Sequence, residues 1–87
     1  MRKQCKQILK KIFHAYLIRS RNELAWTQAE MAEVLEMSER SFVDLDHGKA
    51  GCSALTLALF LTYCCDDPRQ FLDDFKASYE VETKVTV

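Results

Sequence analysis

The stretch from Thr27 to Lys49, TQAEMAEVLEMSERSFVDLDHGK, constrains this chain most, because helix-start and helix-stop signals crowd within it. Thr27 is followed three residues later by Glu30, the spacing of a capping box in which each side chain satisfies the other's free backbone N–H. Met31, Ala32, Val34 and Leu35 then recur at helical spacing. Glu36 and Met37 make a turn, and Ser38 caps a second helix from Glu39 to about His47. Gly48 stands where a helix-stopping glycine belongs, and Phe42, Val43 and Leu45 supply the second helix's apolar contacts. Two short helices across a tight turn follow from these residues.

The flanking segments read as helices too. Cys5, Ile8, Leu9, Ile12, Phe13, Tyr16 and Leu17 recur at three- and four-residue steps, which predicts an amphipathic helix from about Lys3 to Glu23. Its lysines lie beside and behind the stripe, either as a solvated back or as a basic end for phosphates. Ala25 and Trp26 link it to the central stretch, with Trp26 expected as a core anchor. Beyond the loop from Lys49 to Cys52, Ser53 caps a helix from Ala54 to about Cys65. It is apolar on nearly every side, as a buried central helix would be. Asp67 caps a fifth helix with Pro68 at its first position and Gln70 closing the box. There Phe71, Leu72 and Phe75 are expected to face inward, with Tyr79 one turn later. From Val81 to Val87 the period changes to strand alternation. The expectation is one all-α domain of five helices over residues 1–80, with residues 81–87 as a short β-strand or tail.

Composition narrows the function. Hydrophobic residues make up 48% of the 87, enough for a modest core, and two glycines with one proline favour helix over a turn-rich β fold. Cys5, Cys52, Cys64 and Cys65 match neither a zinc-ligand spacing nor a Cys-x-x-Cys motif, and read as small core residues in a reducing compartment. No secretory signal develops, because Lys10 and Lys11 follow Ile8 and Leu9. The apolar run from Ala54 to Cys65 is too short to span a bilayer, so no membrane partner is expected and the cytoplasm is the default compartment. No phosphate loop, metal set or nucleophile elbow is present. An enzyme is therefore not expected, nor a cofactor, nor a small-molecule substrate. The net charge of −1 conceals an asymmetry: residues 1–21 hold seven basic groups and no acid, and the remainder hold five basic groups and all thirteen acids.

Two short helices with a small residue, Ala32, between them have the shape of a helix-turn-helix. Over about Leu9 to Phe75 the chain resembles the phage repressor and Cro family. The matching residues are Thr27-Gln28, Met31-Ala32, Leu35, Met37-Ser38, Ser41-Phe42, Leu45 and Gly48-Lys49. The resemblance implies a repressor-like five-helix fold that binds double-stranded DNA, with the second helix of the motif in the major groove. It places Ser38, Glu39, Arg40, Ser41 and Asp44 toward the bases, Gln28 as a phosphate contact that also braces the recognition helix, and Lys49 at the backbone. Arg40 suits guanine, Glu39 the cytosine amino group, and Ser41 either partner. The resemblance also implies an ion pair between Arg21 and Asp46, where the family pairs arginine with glutamate. Ala25 and Glu36 depart from it, since the family often has glycine at both places, with positive φ.

Two functions remain open on these grounds. One is a sequence-specific DNA-binding transcriptional regulator. The other is a degenerate helix-turn-helix serving as a protein-interaction or antirepressor module, because Glu39 and Asp44 oppose phosphate and Arg40 can instead pair with Asp44 across one turn. A homodimer is expected in the first case. The tail suits it: antiparallel pairing centred on Thr83 sets Glu82 opposite Lys84 and Val81 opposite Val85. A frayed C-terminus is the other reading of the same residues.

Overall fold

Helices begin where a side chain can accept an otherwise unpaired N–H. The computed structural model describes residues 2–83, which form α1 (Arg2–Leu24), α2 (Gln28–Val34), α3 (Glu39–Asp46), α4 (Ala54–Tyr63) and α5 (Pro68–Thr83). No strand is present among the described residues. Thr27 accepts from Glu30 N at 3.1 Å while Glu30 Oε1 accepts from Thr27 N at 2.8 Å, so the capping box is complete. Ser38 and Ser53 cap α3 and α4 in the same way, accepting from Ser41 N and Thr56 N. Asp67 accepts from Gln70 N at 3.1 Å, but the Gln70 amide turns forward to Asp74 Oδ1 at 2.8 Å rather than closing the expected box.

Two helix ends share one geometry. Met37 N donates to Ala32 O and Glu36 N to Glu33 O after α2; Lys49 N donates to Asp44 O and Gly48 N to Leu45 O after α3. This pattern requires a left-handed residue just past the cap. Gly48 meets the requirement at φ +74, whereas Glu36 meets it at φ +55 and carries a side chain. Ala25, after α1, is likewise left-handed at φ +56. A Cβ in this region costs about 1–2 kcal/mol.

Phenylalanines from four helices form the centre. Phe13 of α1, Phe42 of α3, Phe60 of α4 and Phe71 of α5 are fully buried, joined by Leu17, Met31 and Leu35. Phe13 meets Phe60 edge-on at 5.1 Å between centroids, and Tyr16 meets Phe71 edge-on at 5.0 Å. Such pairs add about 0.5–1.5 kcal/mol each beyond burial. α1 packs along α5, while α3 sits against both α1 and α2. Trp26 is half-buried against the core, as are Val34 and Met37. At 23 residues α1 is about 34 Å long, in a body measuring 45 × 23 × 19 Å.

Three further expectations are corrected, the first that Leu72 of α5 faces inward: it is 55% exposed. α4 is not buried all round: Thr56, Phe60 and Cys64 form its inward row, while Leu55 is 61% and Tyr63 64% exposed. A bundle of this size has only enough neighbours to cover one side of α4, so its uniformly apolar sequence overstated its burial. The C-terminal strand is also not formed where it is described, since Val81, Glu82 and Thr83 continue α5. A lone strand finds no partner strand among the described residues, whereas each residue added to a formed helix gains its own backbone bond. Ribbon pairing centred on Thr83 is therefore not the arrangement of these residues; residues 84–87 lie outside the described part. α5 crosses the expected boundary at residues 80/81 without a break. Among the described residues no helix is long and apolar enough to cross a membrane.

Candidate nucleic-acid interface

α3 is amphipathic because its apolar residues recur every three or four positions. Phe42, Leu45 and Asp46 point inward, and Glu39, Arg40, Ser41, Asp44 and His47 are exposed. The residues expected to meet bases thus lie together on one outward face, with Ser38 at its head. Ser38 Oγ donates to Ser41 Oγ at 3.0 Å, leaving the Ser41 hydroxyl proton free. Among the described residues ion pairing is confined to Arg21 and Asp46, so the Arg40 guanidinium is not closed onto Asp44.

Asp46 fixes this face relative to the rest of the molecule. Its carboxylate accepts from Arg21 Nε of α1 at 3.2 Å and from Gln28 Nε2 of α2 at 3.3 Å. Its backbone carbonyl accepts from His14 Nε2 of α1 at 2.7 Å. Three donors from two helices therefore converge on the last residue of α3. Gln28 supplies the bracing half of its expected role; its amide is directed inward at Asp46. His14 was not singled out in the sequence. The available signal was its seven-residue spacing from Arg21, two turns along one face of α1.

The surrounding charge is mixed. Lys49 is exposed just past α3. Lys6 and Lys10 flank an open groove of about 320 Å³ whose apolar floor includes Leu9 and Cys52, next to Gly51 in the same loop. The basic start of α1 thus lies beside the loop that leaves α3. Against this, Glu30, Glu33, Glu36, Glu39 and Asp44 are all exposed on α2, the turn and α3. Glu30 is partly engaged by Thr27 N.

A second polar cluster ties α1 to α5. The Tyr16 hydroxyl donates to Asp74 Oδ2, Gln70 donates to Asp74 Oδ1, and the Arg19 guanidinium lies 4.4 Å over the Tyr16 ring. Burial and the Asp74 bond raise the Tyr16 pKa; donation from Tyr16 and Gln70 lowers that of Asp74. The four cysteines are free thiols. Burial pushes Cys52, Cys64 and Cys65 above the ordinary thiol range, so they stay protonated at neutral pH. Among the described residues no three His, Cys, Asp or Glu side chains gather as metal ligands. No family model matches this chain, and no curated protein or solved structure matches it either, so its reading rests on its own residues.

Proposed function

We propose that this chain is a cytoplasmic, homodimeric transcriptional regulator of the repressor and Cro type, reading double-stranded DNA with the outward face of α3. One observation carries the proposal: α3 exposes Glu39, Arg40, Ser41 and Asp44 together while its far end is held at Asp46 by Arg21, Gln28 and His14. Base readout needs an exposed row of donors and acceptors on a helix whose angle is fixed, and this arrangement supplies both. Arg40 is the guanine reader, Glu39 the cytosine acceptor and Ser41 the adaptable partner. Lys49, with Lys6 and Lys10 near the adjoining loop, supplies phosphate contacts that position the helix.

The five exposed acids on α2, the turn and α3 favour a second reading, in which the same face docks a basic segment of another protein. Acid there weakens the phosphate attraction that underlies non-specific DNA affinity. A salt titration of the purified full chain against fragmented genomic DNA separates the two. The regulator reading expects enrichment of particular fragments and a fall in affinity with rising salt. No enrichment even at low salt removes it and leaves the protein-docking reading.

A further inference from the structure

We propose that the groove between the start of α1 and the loop after α3 binds an apolar small molecule ending in a carboxylate, its hydrocarbon part on Leu9 and Cys52 and its charge between Lys6 and Lys10. The site goes beyond the proposed function and stands whether or not α3 reads DNA.

The charges that select the ligand line the groove itself. Its volume of about 320 Å³ lies at the lower end of the range of about 300–1,000 Å³ typical of small-molecule sites. Lys6 and Lys10 stand one turn apart on one side of α1, so their flexible stems can bring both ammonium groups to a single anion. Neither has an ion-pair or hydrogen-bond partner among the described residues. No acid is among the described lining residues, and burial keeps the Cys52 thiol neutral. Positive charge therefore faces the groove uncompensated. A DNA phosphate would satisfy the lysines but leave the apolar floor of Leu9 and Cys52 in water. A molecule with both a hydrocarbon part and a carboxylate uses floor and cations together, and that combination sets its class.

Gly51 supports the same reading. The chain has two glycines, and Gly48 is required by its left-handed backbone at φ +74. Gly51 is under no such requirement, and a Cβ placed on it would meet nothing within 4 Å. Neither backbone nor packing calls for glycine there. Its missing side chain instead keeps open the rim of the groove it lines.

Titration calorimetry of the full chain with sodium octanoate tests this, with acetate and octylammonium as controls. Octanoate is expected to saturate one site per chain, and each control to bind at least about tenfold more weakly. Lys6→Met and Lys10→Met together keep the apolar stems and remove the charges. This double variant is expected to lose octanoate affinity at least about tenfold while melting like the wild type. If it melts lower, Gly51→Leu takes its place and is expected to abolish binding by filling the groove. Saturating octanoate is also expected to slow alkylation of Cys52 but not of Cys65, which lines a different pocket. Absence of saturable octanoate binding overturns the proposal. So does octylammonium binding as tightly as octanoate, an affinity that neither the double variant nor Gly51→Leu reduces, or a Cys52 left unprotected. Binding to fragmented DNA is read separately: a chain that binds octanoate but enriches no fragments sinks DNA reading alone, and one that enriches fragments but binds no octanoate sinks the groove alone.

Discussion

Arg21 donates from Nε to Oδ1 of Asp46 at 3.2 Å, yet the two side chains stand in unlike surroundings, Asp46 at 4% exposure and Arg21 at 29%. The pair is thus buried on the acidic side and wet on the basic side. Removing Arg21 leaves a carboxylate in the interior with only Gln28 on its oxygens; removing Asp46 leaves a guanidinium that can turn to water. Arg21→Ala is therefore expected to cost about 2–3 kcal/mol, below the 3–5 typical of a fully buried pair, and Asp46→Ala less. Urea midpoints of the two variants decide the order. Equal losses, or a larger loss for Asp46→Ala, would show that Asp46 matters through packing rather than charge.

Glu36 occupies a left-handed position between α2 and α3 at φ +55. Its side chain is exposed, so its removal costs no packing. Glu36→Gly is expected to stabilise the fold by about 1 kcal/mol, or about 4–8 °C in melting temperature. The gain is the relieved strain less the entropy that glycine adds to the unfolded chain. An unchanged or lower melting temperature falsifies the strain. The same substitution removes one acid from the candidate DNA face, so it should not weaken binding to DNA.

How much of this was legible before the structure depends on the range over which each signal acts. Thr27, Ser38 and Ser53 act on N–H groups two or three residues away, so spacing alone located the starts of α2, α3 and α4. Gly48 and the departures at Ala25 and Glu36 were equally local, and all three residues are left-handed. The apolar side of α4 was misjudged because burial depends on how many neighbours a small fold can supply. The start of the tail was misjudged: Val81 to Thr83 continue α5, because alternation describes a strand only when a second strand is there to pair with it. In the candidate site, the Arg21–Asp46 pairing came from resemblance, since the residues are 25 apart and no periodicity links them. The contribution of His14 and the bond from Tyr16 to Asp74 are tertiary facts with at most a weak trace in sequence.

The bond from Tyr16 to Asp74 gives stability a defined pH dependence. Asp74 has a folded pKa below its unfolded value of about 4, chiefly because the Tyr16 hydroxyl donates to it. A depressed carboxylate contributes stability that is present above the unfolded pKa and lost as pH falls through the folded one. Tyr16 is shifted upward, so its contribution is complete below about pH 10 and is lost as pH rises further. Tyr16→Phe keeps the ring against Phe71, removes the alkaline dependence and reduces the acid one, since Gln70 still donates to Asp74. The gap in urea midpoint between wild type and Tyr16→Phe should be largest near neutrality and shrink toward pH 2 and toward pH 11, beyond both ordinary values. A gap that stays constant across acid pH excludes this link.

Arg40 and Lys49 are expected to fail in different ways if α3 reads DNA. Arg40 sits on the outward face with its guanidinium free of Asp44, and a bidentate contact to guanine discriminates against the wrong base by about 1–3 kcal/mol. Arg40→Ala should therefore lose affinity mainly for the preferred fragments and flatten the contrast with random sequence. Lys49 lies exposed beyond the helix, beside the loop, where on this proposal it would meet phosphate rather than bases. Lys49→Ala should weaken all sequences alike and lower the slope of log affinity against log salt by about 1. Neither side chain contributes to the core, so both variants should melt like the wild type, and any lost binding then reports the interface. Fragment competition at two salt concentrations reads both effects. If Arg40→Ala and Lys49→Ala bind every fragment as the wild type does, α3 is not the reading helix, and the acidic face formed by Glu33, Glu36, Glu39 and Asp44 becomes the surface to pursue with basic peptides.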